Sequence, residues 1–296
     1  MVSLDSWDEI RTAYQVARLG TVSAASEVLG VHHATVIRHI DALEKRLGVK
    51  LFQRHSRGYT PTEAGQDLLA VGHATEDELA QFVARSRGRE QAVTGELLVT
   101  SLPDLAPLIA PVLASFQAAH PGLTVRYLTD ARVFRLEYGE AHVAIRAGQA
   151  PDEPDNVVQP FLRQAFALYG SEDYIARRGL PADEAALAGH HFVGPASDAS
   201  RAPFNRWLAK TVPPEAVIFH ASESRAIIAA VAAGAGLGFL QVAEAARRKG
   251  LVQVLPPRRE WEVELWLVTH VDLHRTIKVQ SFLAYLKEQA RSWRAG

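Results

Sequence analysis

Val36, Ile40, Leu43 and Leu47 recur at i, i+4, i+7 and i+11, the spacing of one buried stripe on a helix over about residues 33–47. A shorter run, Ala24-Ala25-Ser26-Glu27-Val28-Leu29, precedes it and stops at Gly30, a residue suited to the left-handed position after a helix C-terminus. Two short helices joined by a tight glycine turn predict a helix-turn-helix, whose second helix can enter the major groove of DNA. Removing the stripe leaves Thr35, Ile37, Arg38 and His39 for the outward face, with His32 and His33 at its start. Arg38 can donate bidentately to guanine or to a phosphate. Ile37 is an apolar side chain on a face expected to be wet. It is either half-buried core or a partner for a thymine methyl.

The next segment, Leu51 to Thr62, places the apolar anchors Leu51 and Phe52 before a Gly58 turn flanked by Arg54 and Arg57. That is the arrangement of a wing, whose arginines reach phosphate or the minor groove and set register rather than sequence. Thr62 then caps a long helix, with Glu63 in its first turn to suit the dipole. Leu68, Val71, Thr75, Leu79 and Phe82 recur along that helix at three- to four-residue spacing, a seam for pairing with a second copy. Residues 83–90 are polar, charged and glycine-containing, and read as a hinge.

The texture changes at Gly95. Strand-like runs at 97–100, 123–128 and 142–146 alternate with helical stretches such as 105–119, which ends at His120-Pro121-Gly122. Such alternation predicts a parallel α/β sheet. The 296 residues suffice for two domains, and 48% hydrophobic with 22% charged residues is an ordinary globular balance. No run approaches the roughly 18 apolar residues of a membrane span. The first nine residues carry acids and no basic segment, so a cytoplasmic location is expected. Absence of cysteine excludes disulfides and thiolate-bound metal. The net charge is −1, so affinity for nucleic acid needs a local basic face. Arg38, Lys45, Arg46, Lys50, Arg54 and Arg57 against Asp41 and Glu44 supply one.

Residues 24–54 and Thr62-Glu63-Ala64-Gly65 resemble the LysR-type transcriptional regulators. The matching positions are Leu29-Gly30, Val36, Arg38, Ile40, Leu43-Glu44, Leu47-Gly48, Leu51-Phe52 and Arg54. His32 and Ile37 stand where that family usually carries serines, so an average member's base preference does not transfer. The likeness continues through Gly95-Glu96-Leu97-Leu98-Val99, Gly139 to Arg146, Leu187-Ala188-Gly189-His190 and Ala230 to Gly238, with Gln241 in place of a customary proline.

The resemblance implies a winged helix-turn-helix over residues 1–62 and a dimerising linker helix and hinge over 63–93. Residues 94–296 would form an effector-binding domain like a periplasmic binding protein. Its subdomain I would span about 94–161 and 265–296, and its subdomain II about 162–264. The implied function is a transcription regulator controlled by a small molecule bound between the subdomains. Its implied partners are operator DNA, a further copy or copies of itself as dimer or tetramer, and RNA polymerase. No cofactor, metal or membrane is implied.

Ligands of open α/β sheets bind beyond the carboxyl ends of strands. Ser101, Thr129 and Arg146 occupy such ends, and in this family those positions commonly face the effector. Ser197, Asp198 and Phe204 would line the opposite lip. Arg146 would favour an anionic effector, or else pair internally with an acid such as Asp130. An enzyme is disfavoured because no nucleophile–base or metal constellation emerges. His270 and His274 lack accompanying carboxylates, and the glycines at 234–238 follow a helix where a dinucleotide loop requires a strand. A transporter's solute-binding protein would leave the first 60 residues without a role.

Overall fold

The computed structural model describes residues 7–56, 58–86, 93–130, 132–196 and 202–293. The helices on either side of the Gly30 turn are preceded by another, α1 (Trp7–Leu19), and form α2 (Val22–Leu29) and α3 (His33–Leu47). Thr21 caps α2 by accepting from the Ala24 N–H at 3.2 Å, and Gly30 ends it at φ +67°. Val36, Ile40 and Leu43 are buried with Ala13 and Val16 of α1. Each buried valine, isoleucine or leucine among them contributes about 1.5–3 kcal/mol by leaving water. Leu47 departs from the expected stripe and is 39% exposed. The chain turns at Gly48, and Leu51 and Phe52 fold back to fill the core beyond Leu43, so the last turn of α3 projects past it.

Strands β1 (Phe52–His55) and β2 (Gly58–Pro61) pair antiparallel as the wing. Helix α4 (Glu63–Ser86) follows. Thr62 anchors its start: the hydroxyl donates to the Lys50 carbonyl at 2.6 Å and accepts from the Gly65 N–H at 3.2 Å. Along the expected seam, Leu68 packs into the N-terminal core, while Val71, Leu79 and Phe82 lie exposed.

Beyond the linker come β3 (Gly95–Ser101), α5 (Ala106–Ala119), β4 (Leu123–Thr129), β5 (Val143–Ala147) and β6 (Asn156–Gln164). Next are β7 (Phe166–Ser171), α6 (Glu172–Arg178), β8 (Phe192–Pro195), α7 (Pro203–Thr211), β9 (Val217–Ala221) and α8 (Ser224–Ala232). The chain closes with β10 (Gly238–Gln241), α9 (Val242–Ala245), β11 (Leu251–Leu255), β12 (Val263–His270), α10 (Val271–His274) and α11 (Ile277–Trp293).

One sheet has the order β4-β3-β5-β12-β6, with β3, β4 and β5 parallel and β12 antiparallel to its neighbours. Its core, including Leu97, Val99, Ile109, Phe116, Val143 and Phe282, lies beneath α5 and α11. A second unit contains the antiparallel β10-β7-β11 sheet and the parallel pair β8-β9, bridged at Phe192 and Leu237. The chain passes from the first unit to the second at Ala165 and returns between β11 and β12.

Helix α4 lies against α1 at Gly72, where an added Cβ would stand 2.2 Å from Tyr14 Cδ2. Gly72→Ala is therefore expected to destabilise the chain by about 1–3 kcal/mol through overpacking, although alanine favours a helix by about 1 kcal/mol. Thermal unfolding of the full chain checks this, with a lowered midpoint expected.

Candidate functional site

On α3 the outward face is set by what the core leaves over. His32, His33 and Arg38 are exposed, Ile37 is 38% exposed, and Thr35 is half-buried. Ile37 is thus wetter than a core side chain. His39 does not share this face: its Nδ1 lies 2.9 Å from the Thr12 hydroxyl of α1, and the ring is half-buried. The reason is angular. Residue 39 falls three positions after Val36 and four before Leu43, on the flank of the stripe rather than opposite it. His32 starts α3 without a side-chain capping bond, leaving the first N–H groups of the helix available.

Much of the basic cluster is paired within the protein. Arg46 binds Glu9 at 2.5 Å, Lys50 binds Glu44 at 2.6 Å, and Arg54 binds both Asp41 (2.5 Å) and Glu44 (3.1 Å). Arg54 also lies over the Tyr59 ring at 5.4 Å. Arg38 and Lys45 have no such partner among the described residues. Arg57 lies outside the described residues. Arg54, expected to reach the DNA backbone, is foremost a tie between recognition helix and wing.

The centre of that tie is Glu44, whose side chain is 2% exposed. One oxygen accepts from the Leu51 N–H at 2.9 Å and the Phe52 N–H at 3.3 Å, while the other meets Lys50 and Arg54. Burial pushes its carboxyl upward, but the Lys50 ammonium and the two backbone donors outweigh that and hold it below the usual carboxylate range. By charge alone Glu44 is an acid diluting the basic face. The available signal was its position directly after a stripe residue, with bases six and ten positions later.

In the α/β domain, Ser101 and Thr129 stand at aligned ends of the adjacent parallel strands β3 and β4. Ser101 is buried and donates to the Leu102 carbonyl at 2.8 Å, while the Tyr127 hydroxyl lies 2.6 Å away. Thr129 is exposed. Arg146 is not brought to these two. Ser101 pairs with Ile145, so the alternation of a strand assigns Arg146 to the opposite face of the sheet. There Nη1 meets Glu153 at 3.1 Å and Nη2 donates to the Phe134 carbonyl at 3.1 Å. The internal acid partner is Glu153, and Asp130 instead lies near Arg132. Arg146 borders a cavity of about 410 Å³ with Phe134, Glu153, Asn156 and His270, and neither Ser101 nor Thr129 contributes to its walls.

Phe204, expected at a cleft lip, is half-buried, stacked on Phe166 at 4.2 Å and near Phe239 at 5.4 Å. It belongs to the aromatic core of the second unit. Ser197 and Asp198 lie outside the described residues. His270 accepts from the Asp272 N–H at the start of α10, and His274 binds Thr269 at 2.9 Å. Among the described residues no three metal-binding side chains cluster, and no helix is long and apolar enough to cross a membrane.

The family model for the bacterial regulatory helix-turn-helix protein of the lysR family matches residues 7–66, and that for the LysR substrate binding domain matches residues 90–291. The regulator CrgA of Neisseria meningitidis serogroup B is 28% identical over 188 residues, covering 63% of this chain and 62% of that protein. A transcriptional repressor of Pseudomonas aeruginosa is 26% identical over 294 residues, covering 96% and 92%. The CrgA structure aligns with TM-score 0.57 at 23% identity, covering 96% of this chain and 98% of that one. Mycobacterium tuberculosis ArgP aligns with TM-score 0.71 at 19% identity, covering 97% and 98%. These likenesses show the fold.

Glu44→Ala is expected to lower stability by about 2–4 kcal/mol, because two buried N–H groups lose their acceptor and two cations lose their partner. Urea unfolding of the full chain measures the loss. The carboxylate's folded value is depressed, so its contribution is present above about pH 4.3 and disappears as pH falls through the lowered value.

Proposed function

Because the chain belongs to the LysR family of bacterial helix-turn-helix regulators, we propose that it binds operator DNA through α3 and controls transcription in response to a small molecule. The observation that carries this reading is the outward face of α3. Arg38 is exposed there without a side-chain partner among the described residues, on the same helix as the exposed His33 and Ile37 and its uncapped start. Arg38 reads a base edge or holds a phosphate, Ile37 meets a thymine methyl, and His32, His33 and Thr35 complete the contact surface. Lys45, and the wing through Arg54 and Arg57, add backbone contacts. His39 positions α3 against α1 instead of touching DNA.

The exposed stretch of α4 supports pairing with a second copy, as reading two half-sites requires. The proposed chain is a non-enzymatic, cytoplasmic homo-oligomer acting on RNA polymerase at its promoters. Ser101 and Thr129 support an effector site at the ends of β3 and β4. The position of Arg146 on the other face of the sheet and its pairing with Glu153 support a role in securing the segment that bears Glu153.

Arg38→Ala is expected to weaken binding to the protein's own upstream DNA about 5- to 150-fold if it forms a bidentate base contact. A phosphate contact would instead reduce the salt dependence by about one charge. Gel shifts at several salt concentrations separate these outcomes, with Arg248→Ala as a control. Unchanged affinity and salt dependence in Arg38→Ala would remove it from the interface. For the effector, a carboxylic acid that raises the thermal midpoint of the wild type is expected to do so in Arg146→Ala as well. Loss of that response would return Arg146 to the binding site.

A further inference from the structure

A polar seam, buried at Tyr14, His142 and Lys278 and open to water at Glu76 and Arg126, joins the three parts of the chain. From α1 come Tyr14 and Arg18, and from α4 come His73 and Glu76. The α/β domain supplies Glu96 of β3, Arg126 of β4, His142 just before β5, and Lys278 of α11. Tyr14 donates to Glu76 Oε2 at 2.7 Å, and its oxygen lies 3.0 Å from His73 Nδ1. With the single phenolic proton directed to Glu76, Nδ1–H of neutral His73 is the donor to Tyr14. Arg18 reaches Glu76 at 3.4 Å and Glu96 at 3.9 Å, and Arg126 reaches Glu96 at 3.7 Å. The rings of His73 and His142 meet edge to face with centroids 6.4 Å apart.

His142 is nearly fully buried. Its Nδ1 accepts from the Leu98 N–H at 2.7 Å, so the ring proton of the neutral form is on Nε2, 3.3 Å from Lys278 Nζ. Lys278 is itself buried and donates to the Glu96 carbonyl at 2.5 Å. A second proton on His142 would have to go on Nδ1 and break a β3 hydrogen bond, beside a buried ammonium. The turn leading to Gly139 also touches α4: a Cβ on Gly139 would lie 3.4 Å from His73 Cδ2. That turn's ionisable side chains are engaged locally, Arg135 over Tyr138 and Glu140 with Arg132, while Glu137 is exposed.

We propose that His73 and His142 form a proton-operated latch, which docks the α/β domain onto α4 and α1 when both rings are neutral and releases it on acidification. The two rings face each other across the contact, so separation opens to water the sides they turn towards each other. Burial first, and then the Arg18 charge, lowers His73 to about pKa 4, with Glu76 partly opposing. Burial, Lys278 and His73 lower His142 well below its ordinary value. The docked state therefore binds fewer protons than the undocked one. Docking is fully favoured above about pH 6.5 and weakens as pH falls towards the docked value. For His73 alone, the docking constant is expected to fall about 30-fold at pH 5 if the undocked ring returns to about 6.5.

The chain contains no cysteine, so two introduced thiols can be labelled without background. Glu27→Cys on α2 and Lys249→Cys after α9, both at exposed positions, report the separation of the DNA-binding unit and the α/β domain. Spin-labelled full-length chain, mixed with an excess of unlabelled wild type to suppress distances between protomers, is measured from about pH 7.5 to pH 5. The expected result is one distance near neutrality and a second population growing in acid. His73→Gln with His142→Gln is expected to remove most of that growth. A single unchanged distance across the range, or the same acid response in the double variant, overturns the latch. Should that variant not fold, titration of the wild-type ring protons by NMR decides. Rings that stay neutral well below pH 6.5 support the proposal, and rings that both titrate near about 6.5 overturn it.

Discussion

The Glu44 carboxylate, held out of water by the Leu51 and Phe52 amides and by Lys50 and Arg54, fixes where the recognition helix ends and where the wing begins. A buried charge is tolerated only when its remaining lone pairs are occupied, and here both oxygens are. Because two donors are backbone groups, the interaction fixes chain direction after Gly48 as well as side-chain position. The exposed face of α3 depends on it. Were the chain after Gly48 to leave by another path, Leu51 and Phe52 would vacate the core that orients Val36, Ile40 and Leu43.

The same economy explains why a chain of net charge −1 can present a basic surface. Most arginines and lysines near the wing serve first as internal ties, and the side chains left over are few and local. Arg38 differs from Arg46 and Arg54 in having no ion-pair partner among the described residues, not in its chemistry. Placement on the helix thus separates an interface cation from a structural one.

A second polar layer, between α4 and the α/β domain, contrasts with the dry cores on either side of it. Tyr14, His73 and Glu76 are joined by hydrogen bonds, and the His142 ring lies against His73 and beside Lys278, so the strength of the layer is open to titration. Apolar packing of similar extent would hold the units together with little pH dependence. Gly72 shows how closely the layer is fitted, because there is no space for one methyl group beside Tyr14.

Neighbouring residues alone specify the helix-turn-helix, its glycine stop at Gly30, the cap at Thr62 and the strand–helix alternation after Gly95. Each is a local property: periodicity, a left-handed backbone position or a capping hydroxyl needs only neighbouring residues. Leu47 and His39 depart from their expected places because a helical stripe gives only direction around the axis. It does not say where the opposing elements stop or which flank α1 covers. Glu44 was legible as a residue but not as a clamp, since its donors come from a segment whose path is set by the core. Ser101, Thr129 and Arg146 each lie at a strand end, as read. Only the pairing of β3 with β5 decided that Arg146 faces away from the other two. Side chains alternate with every residue along a strand, so a shift of one position in register exchanges one face of the sheet for the other.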